Sequence, residues 1–251
     1  MLSHEPVHDP ADARDAGDPL GLLKRVFPEF ERQISGKDVL DFGCGAGLQS
    51  IAMAQSGARF VLGLDTNPRT LARAKDLSAR QGLGDRLAFA ETLDESLLGR
   101  FDIVISQNSM EHFADPVGII ELMKTALKPE GRILVTFGPP WLSPYGSHMW
   151  FFTRVPWVNV LFSESAVMKV RSRFICDGAT RYEDVEGGLN RMTVAKFESI
   201  VSHCGLEVSD QRYDCVRGLS LLAKLPGARE LFINHVSCAL RQAQHNPLGS
   251  E

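Results

Sequence analysis

The apolar positions of this chain follow two periods that alternate along it. Leu20, Leu23, Phe27 and Phe30 recur at helical spacing and predict a leading amphipathic helix over Leu20–Phe30. The pattern then shortens into apolar runs of strand length at Val39–Phe42, Phe60–Leu64, Leu87–Ala90, Phe101–Ile105 and Arg132–Phe137. Helical periods separate them over Leu48–Gln55, Pro68–Gln81 and Pro116–Leu127, with Pro68 suited to a first helical turn. Lys128–Gly131 reads as a turn. Strands and helices alternating at this spacing predict a doubly wound α/β fold, a mostly parallel sheet with helices on both faces.

After Pro140 the rhythm breaks. Residues 141–190 hold all three tryptophans, Trp141, Trp150 and Trp157, and no clean period, so they read as a cap inserted after the fifth strand. Alternation resumes with a helix over Val194–Cys204 and a strand over Leu206–Val216. Val236, Cys238 and Leu240 then alternate with Ser237 and Ala239, which predicts a final, seventh strand. The segment Leu219–Arg241 either completes the sheet or builds a dimer contact, so monomer and homodimer both stand. Residues 1–19, rich in Asp, Ala and Pro, are expected to form a disordered tail ahead of one domain over residues 20–251.

Composition narrows the function. A hydrophobic share of 44% and a charged share of 23% are ordinary for a globular chain. The net charge of −4 gives no general attraction to a phosphate backbone, and no basic patch with interleaved aromatics stands out. Nucleic acid is therefore not an expected partner. Cys44, Cys176, Cys204, Cys215 and Cys238 form no C-x-x-C pair and no metal spacing with histidine, which predicts free thiols and no metal. The first residues lack the apolar core of a signal peptide, and no run reaches the ~18 apolar residues of a membrane-spanning helix, so a cytoplasmic location is expected.

The chemistry begins at Gly43-Cys44-Gly45-Ala46-Gly47. A glycine turn between a strand and a helix lets backbone N–H groups approach a ligand closely. The third glycine falls one place too early for the dinucleotide fingerprint, with Leu48 in the place of its last glycine, which argues against a nicotinamide oxidoreductase. The run Val39–Gly47 resembles the first motif of the class I S-adenosylmethionine-dependent methyltransferases. Leu62-Gly63-Leu64-Asp65 resembles that family's second-strand motif, and Phe101-Asp102-Ile103-Val104 and Leu127–Arg132 resemble its later motifs. The four occur in the family's order over residues 38–140.

That resemblance implies a Rossmann-like fold and S-adenosyl-L-methionine as cofactor. It puts Gly43, Gly45 and Gly47 around the cofactor, Asp65 on the ribose hydroxyls, Thr66 and Glu91 beside the adenosine, and Asn108 with Gln107 near the methionine moiety. Asp41 either organises the turn or meets the methionine ammonium. The spacing agrees, because Asp65 lies 20 residues beyond Gly45, where a carboxylate at the second strand's end reaches a ribose.

Methyl transfer from a sulfonium needs alignment and exclusion of water. A hydroxyl acceptor also needs a base, a role that suits histidine. His112, beyond the fourth strand, and His148, in the cap, are the catalytic candidates. The run Trp150–Phe162 is strongly apolar with Arg154 its only charge, which makes it the cap's own core, an apolar substrate pocket or a surface for interfacial lipid contact. Lys169, Arg171 and Arg173 read as a solvated basic face, or as a site for an acidic group. Tyr182, Asn190 and Arg191 are candidates to line the same cavity. The expectation is methyl transfer to a small, largely apolar or aromatic acceptor at oxygen, with a histidine base. Two alternatives stand: the same fold running a rearrangement or cyclisation without methyl transfer, and a non-catalytic cofactor-binding protein.

Overall fold

A computed structural model of the chain describes residues 17–185, 187–216, 221 and 228–243. Its centre is one seven-stranded sheet of β1 (Asp38–Phe42), β2 (Phe60–Leu64), β3 (Leu87–Ala90), β4 (Phe101–Gln107), β5 (Leu127–Phe137), β6 (Leu206–Cys215) and β7 (Ile233–Gln242), in the order β3-β2-β1-β4-β5-β7-β6. The first five strands pair in parallel. β7 runs antiparallel between β5 and β6, so the described part of the segment Leu219–Arg241 completes the sheet.

Side chains of opposite parity leave each strand on opposite faces, and both faces are apolar. Leu40, Leu62, Val104, Ile133 and Val135 join one core cluster with α5 (Pro116–Ala126) and α8 (Val194–His203). Val39, Val61, Ile103, Ile105 and Leu134 join the other, under α1 (Gly21–Val26), α2 (Phe30–Ile34), α3 (Leu48–Gln55) and α4 (Pro68–Arg80). Local signals start the helices. Asn67, Asp115 and Thr193 each accept a backbone N–H of the first turn through the side chain, and proline opens α4 and α5.

Three expectations change. The leading helix is two helices, because Pro28 disfavours helical backbone at Phe27 and Glu29 takes a left-handed φ of 56°. Leu20, Leu23, Phe27 and Phe30 are buried all the same, so their burial followed the pattern although the backbone did not. Residues Lys128–Gly131 are an irregularity inside β5: Leu127 already pairs with Phe101, and the register resumes at Ile103 with Arg132. Arg171 is not part of a solvated basic face. It is 4% exposed and donates from both Nη atoms to the Asp177 carboxylate at 2.7 and 2.6 Å.

The cap contains α6 (Val158–Leu161) and α7 (Glu164–Arg171). It has its own apolar cluster of Met149, Val158, Val167, Met168, Tyr182 and Leu189. Part of the Trp150–Phe162 run therefore packs inward on the cap itself.

Candidate active site

The order of the strands decides where a site forms. The chain leaves β1 toward β2 and leaves its neighbour β4 toward β5, in opposite directions along the sheet, so a crevice opens between their carboxyl ends. The glycine turn sits at the end of β1. A cavity of about 510 Å³ opens over it, lined by Asp41, Gly43, Gly45, Leu48, Gln49 and Gln107, with Asp18 and Pro19 at its side.

Two glycines of the turn have different jobs. A Cβ on Gly45 would meet nothing within 4 Å, so its backbone faces open space from which a ligand can approach. A Cβ on Gly47 would come within 2.7 Å of both Ala74 Cβ and Phe89 Cζ. That glycine lets α3 start against α4 and β3.

Asp41 is buried, and its two oxygens accept from Gln49 Nε2 at 2.9 Å and Ser50 Oγ at 2.5 Å. It thereby braces the first turn of α3. Burial pushes its carboxyl up to about 6 in spite of those two bonds. Asp65 accepts the Gly45 N–H on Oδ2 and the Asn67 N–H on Oδ1, both at 2.8 Å, so it clamps the turn to the end of β2. Thr66 and Glu91 are exposed, just past the ends of β2 and β3 and outside the cavity lining. Gln107 does line the cavity, and its Oε1 is buried without a hydrogen-bond partner.

Asn108 turns the other way. It holds a left-handed φ of 51°, and its Oδ1 accepts from His235 Nε2 at 3.0 Å on β7. The His235 ring is completed by Ser237 Oγ, 3.4 Å from Nδ1. Burial holds the His235 imidazole down to about 4, so it is neutral at ordinary pH. Sequence reasoning missed His235 and Gln49 and put the cavity-lining Asp18 and Pro19 in the tail over residues 1–19, of which 1–16 lie outside the described residues. No local signal identifies a strand histidine as the partner of a residue 127 positions away.

The two catalytic candidates meet at a second cavity of about 500 Å³, also lined by Ser147, Met149, Phe151, Val185 and Leu189. The His112 and His148 rings lie edge to face, 5.6 Å between centroids. His112 Nδ1 is 2.7 Å from the Gly188 carbonyl oxygen. That oxygen can only accept, so Nδ1 carries a proton and the neutral tautomer is the one with its lone pair on Nε2. His148 Nε2 lies 3.4 Å from the Pro139 oxygen, and burial, reinforced by His112, pushes its pKa down to about 4. Tyr182, Asn190 and Arg191 brace this region. Tyr182 packs edge-on against Trp141 at 4.8 Å, Asn190 Nδ2 donates to the Met110 and Phe113 carbonyls, and Arg191 pairs with Glu164.

Known proteins resemble parts of this sequence and its overall fold. The family described as "Methyltransferase domain" matches residues 34–138. A ubiquinone biosynthesis O-methyltransferase of Pseudomonas aeruginosa is 37% identical over 105 residues, 41% of this chain and 45% of the relative. One from Cereibacter sphaeroides is 31% identical over 154 residues, 51% of this chain and 61% of the relative. The chain thus spans about half the length of the curated relatives it matches. Among solved structures, an S-adenosylmethionine-dependent methyltransferase from Mesorhizobium loti superposes with a TM-score of 0.59 at 17% identity, over 90% of this chain and 99% of that one. The [4+2]-cyclase SpnF does so with a TM-score of 0.60 at 16% identity, over 96% and 85%. At these identities the likeness is one of fold.

Residues 34–138 match a methyltransferase domain, and the motif order and sheet topology agree with that match. The residues present fit S-adenosyl-L-methionine. The space over Gly45 is open, Gln107 Oε1 is a buried acceptor without a donor, and the Asp65 carboxylate keeps lone pairs beyond the two N–H groups it holds.

Proposed function

We propose that the protein catalyses S-adenosylmethionine-dependent methyl transfer to the oxygen of a small, largely apolar acceptor, with His112 as the general base. One observation carries the reading. A single turn at the end of β4 has Gln107 in the lining of the glycine-turn cavity and, five residues on, His112 in the lining of the second cavity. A cofactor held in the first and an acceptor held in the second would flank that turn.

In this reading Gly45 and its neighbours offer backbone to the cofactor, Asp65 takes the ribose hydroxyls, and Thr66 and Glu91 border the adenosine. Gln107 accepts from the methionine ammonium. Asp41 holds the turn through Gln49 and Ser50, and Asn108 holds the end of β4 through His235. The cofactor supplies an electrophilic methyl on a sulfonium. His112 Nε2 takes the acceptor's hydroxyl proton, and the Gly188 carbonyl fixes the ring for that task through Nδ1. His148, neutral beside it, lines the cavity and adds no competing charge. Met149, Phe151, Val185 and Leu189 favour an apolar acceptor and exclude water. The names of the curated relatives, O-methyltransferases of ubiquinone biosynthesis, support oxygen as the methylated atom.

The test has two stages. Calorimetric titration with S-adenosylmethionine, its demethylated product and NAD should give binding of the first two alone. A panel of phenols and apolar acids, read by mass spectrometry, should then yield products heavier by one methyl group. Products of unchanged mass would move the reaction to the rearrangement class of the cyclase neighbour. Absence of cofactor binding would leave a non-catalytic protein.

A further inference from the structure

Among the described residues, exposed large apolar side chains are concentrated in one stretch of the chain. Among the described residues, twelve large hydrophobic side chains are exposed, and eight of them fall between positions 151 and 175: Phe151, Val155, Val160, Leu161, Phe162, Val170, Phe174 and Ile175. The helices there are two-faced. Val158 of α6 and Val167 and Met168 of α7 enter the cap's core, while Val160, Leu161 and Val170 face out, with Leu161 at 65% exposure. Rings link part of this surface: Phe152 stacks on Phe174 at 5.4 Å and meets Phe151 at 5.1 Å. Phe151 and Ile175 also line the imidazole cavity, so the apolar surface reaches that cavity's mouth.

The charges left unpaired on the same stretch have one sign. Glu164 is the only acid between residues 151 and 176, and Arg191 holds it at 2.8 Å. Arg171 is occupied by Asp177. Arg154, Lys169 and Arg173 are exposed and belong to none of the ion pairs among the described residues. Three unneutralised cations within an apolar stretch, on a chain whose net charge is −4, are a local exception. Apolar side chains rimmed by Lys and Arg match the interfacial zone of an anionic bilayer, where each cation adds roughly fivefold to partitioning. No helix of the described residues is long and apolar enough to cross a membrane, so the contact this face can make is in the interface plane.

We propose that the face formed by residues 151–175 docks on an anionic lipid surface, with Leu161, Phe162 and Val170 at the headgroup boundary and Arg154, Lys169 and Arg173 on the lipid phosphates. Docked in this way, the mouth of the imidazole cavity opens toward the lipid, and an acceptor carried in the bilayer reaches His112 without crossing water. The docking surface stands on its own geometry; the delivery of an acceptor rests on the reading proposed above.

Sedimentation of the full chain with vesicles tests it, using phosphatidylcholine alone and phosphatidylcholine mixed with phosphatidylglycerol. The mixed vesicles should carry the protein down, added salt should release much of it, and the zwitterionic vesicles should bind at least tenfold less. The double variant Leu161→Asp, Phe162→Asp should lose at least tenfold in binding to mixed vesicles. The variant Lys169→Glu, Arg173→Glu should lose the preference for anionic lipid. Both pairs are exposed, so melting temperature and S-adenosylmethionine affinity should stay at wild-type values. Wild-type protein that ignores both vesicle types, or variants that bind as wild type does, would overturn the proposal. A concentration-dependent dimer that Leu161→Asp, Phe162→Asp dissociates would do so too, by assigning the face to a second copy of the chain. Vesicle binding without cofactor binding would keep the surface and remove the chemistry, so the two failures are separable.

Discussion

The two cavities are made of different material. The glycine-turn cavity takes most of its lining from one continuous stretch between Asp41 and Gln49, and much of what it offers is backbone. The imidazole cavity is assembled from His112, from Ser147, His148, Met149 and Phe151, from both ends of the Arg171–Asp177 pair with Ile175, and from Asp184, Val185 and Leu189. A site built from local backbone geometry is written in a few residue types at fixed spacing. A site built from four distant stretches depends on packing and can change its shape as the cap's sequence changes. The difference matches the comparisons, in which the family match covers residues 34–138 and stops before the cap.

Substitutions can break or sharpen that contrast. The largest effect is expected from His112→Gln, which should lower kcat by about a thousandfold, within the usual range for a general base, and leave cofactor affinity unchanged. A fall in S-adenosylmethionine affinity of similar size would instead tie His112 to the first cavity. Next comes Gly47→Ala. Its Cβ would press on buried Ala74 and on Phe89 at 2.7 Å, at a φ of 75°, so a loss of about 2–4 kcal/mol in unfolding free energy is expected. Gly45→Ala, with nothing within 4 Å, should cost about 1 kcal/mol in stability and act chiefly on cofactor affinity. Equal melting temperatures for the two variants would contradict the division of labour drawn for the turn.

Asp65→Ala should weaken S-adenosylmethionine binding about a hundredfold, given two charge-assisted hydrogen bonds of about 1.5–3 kcal/mol each less what water restores. Calorimetry reads it directly, and unchanged affinity would mean the ribose lies elsewhere.

The smallest effect concerns acid stability. His235 and His148 are both held down to about 4 by burial, against about 6.5 in the unfolded chain. Their stabilising contribution is complete above pH ~6.5 and is lost as pH falls toward 4, because the unfolded state then binds protons that the folded state does not. His235→Gln keeps a donor for Asn108 and should reduce the slope of unfolding free energy against pH by about one proton in that window. Urea unfolding at a series of pH values measures it, and an unchanged slope would mean that His235 is already charged when folded.

Much of the first site was legible because its determinants are local. A short apolar run, three glycines and an acidic residue one strand later are each tied to backbone conformation, and the backbone took the conformation they require. The leading helix was misread because a single apolar period ran across Pro28, and the period reports burial more directly than it reports helix. The solvated reading of Arg171 failed for a related reason, since Asp177 lies six residues away and only the fold of the cap brings their side chains together.

The sequence by itself determined the parallel α/β core, the position of the glycine turn and the carboxylate of Asp65, because periodicity and turn chemistry act over a few residues. Only the tertiary structure decided that His112 and His148 share a cavity, that Asn108 leans on His235 across the sheet, and that the cap's apolar run divides into a buried face and an exposed one. Those outcomes depend on which distant surfaces pack together, and packing is settled by the whole chain at once.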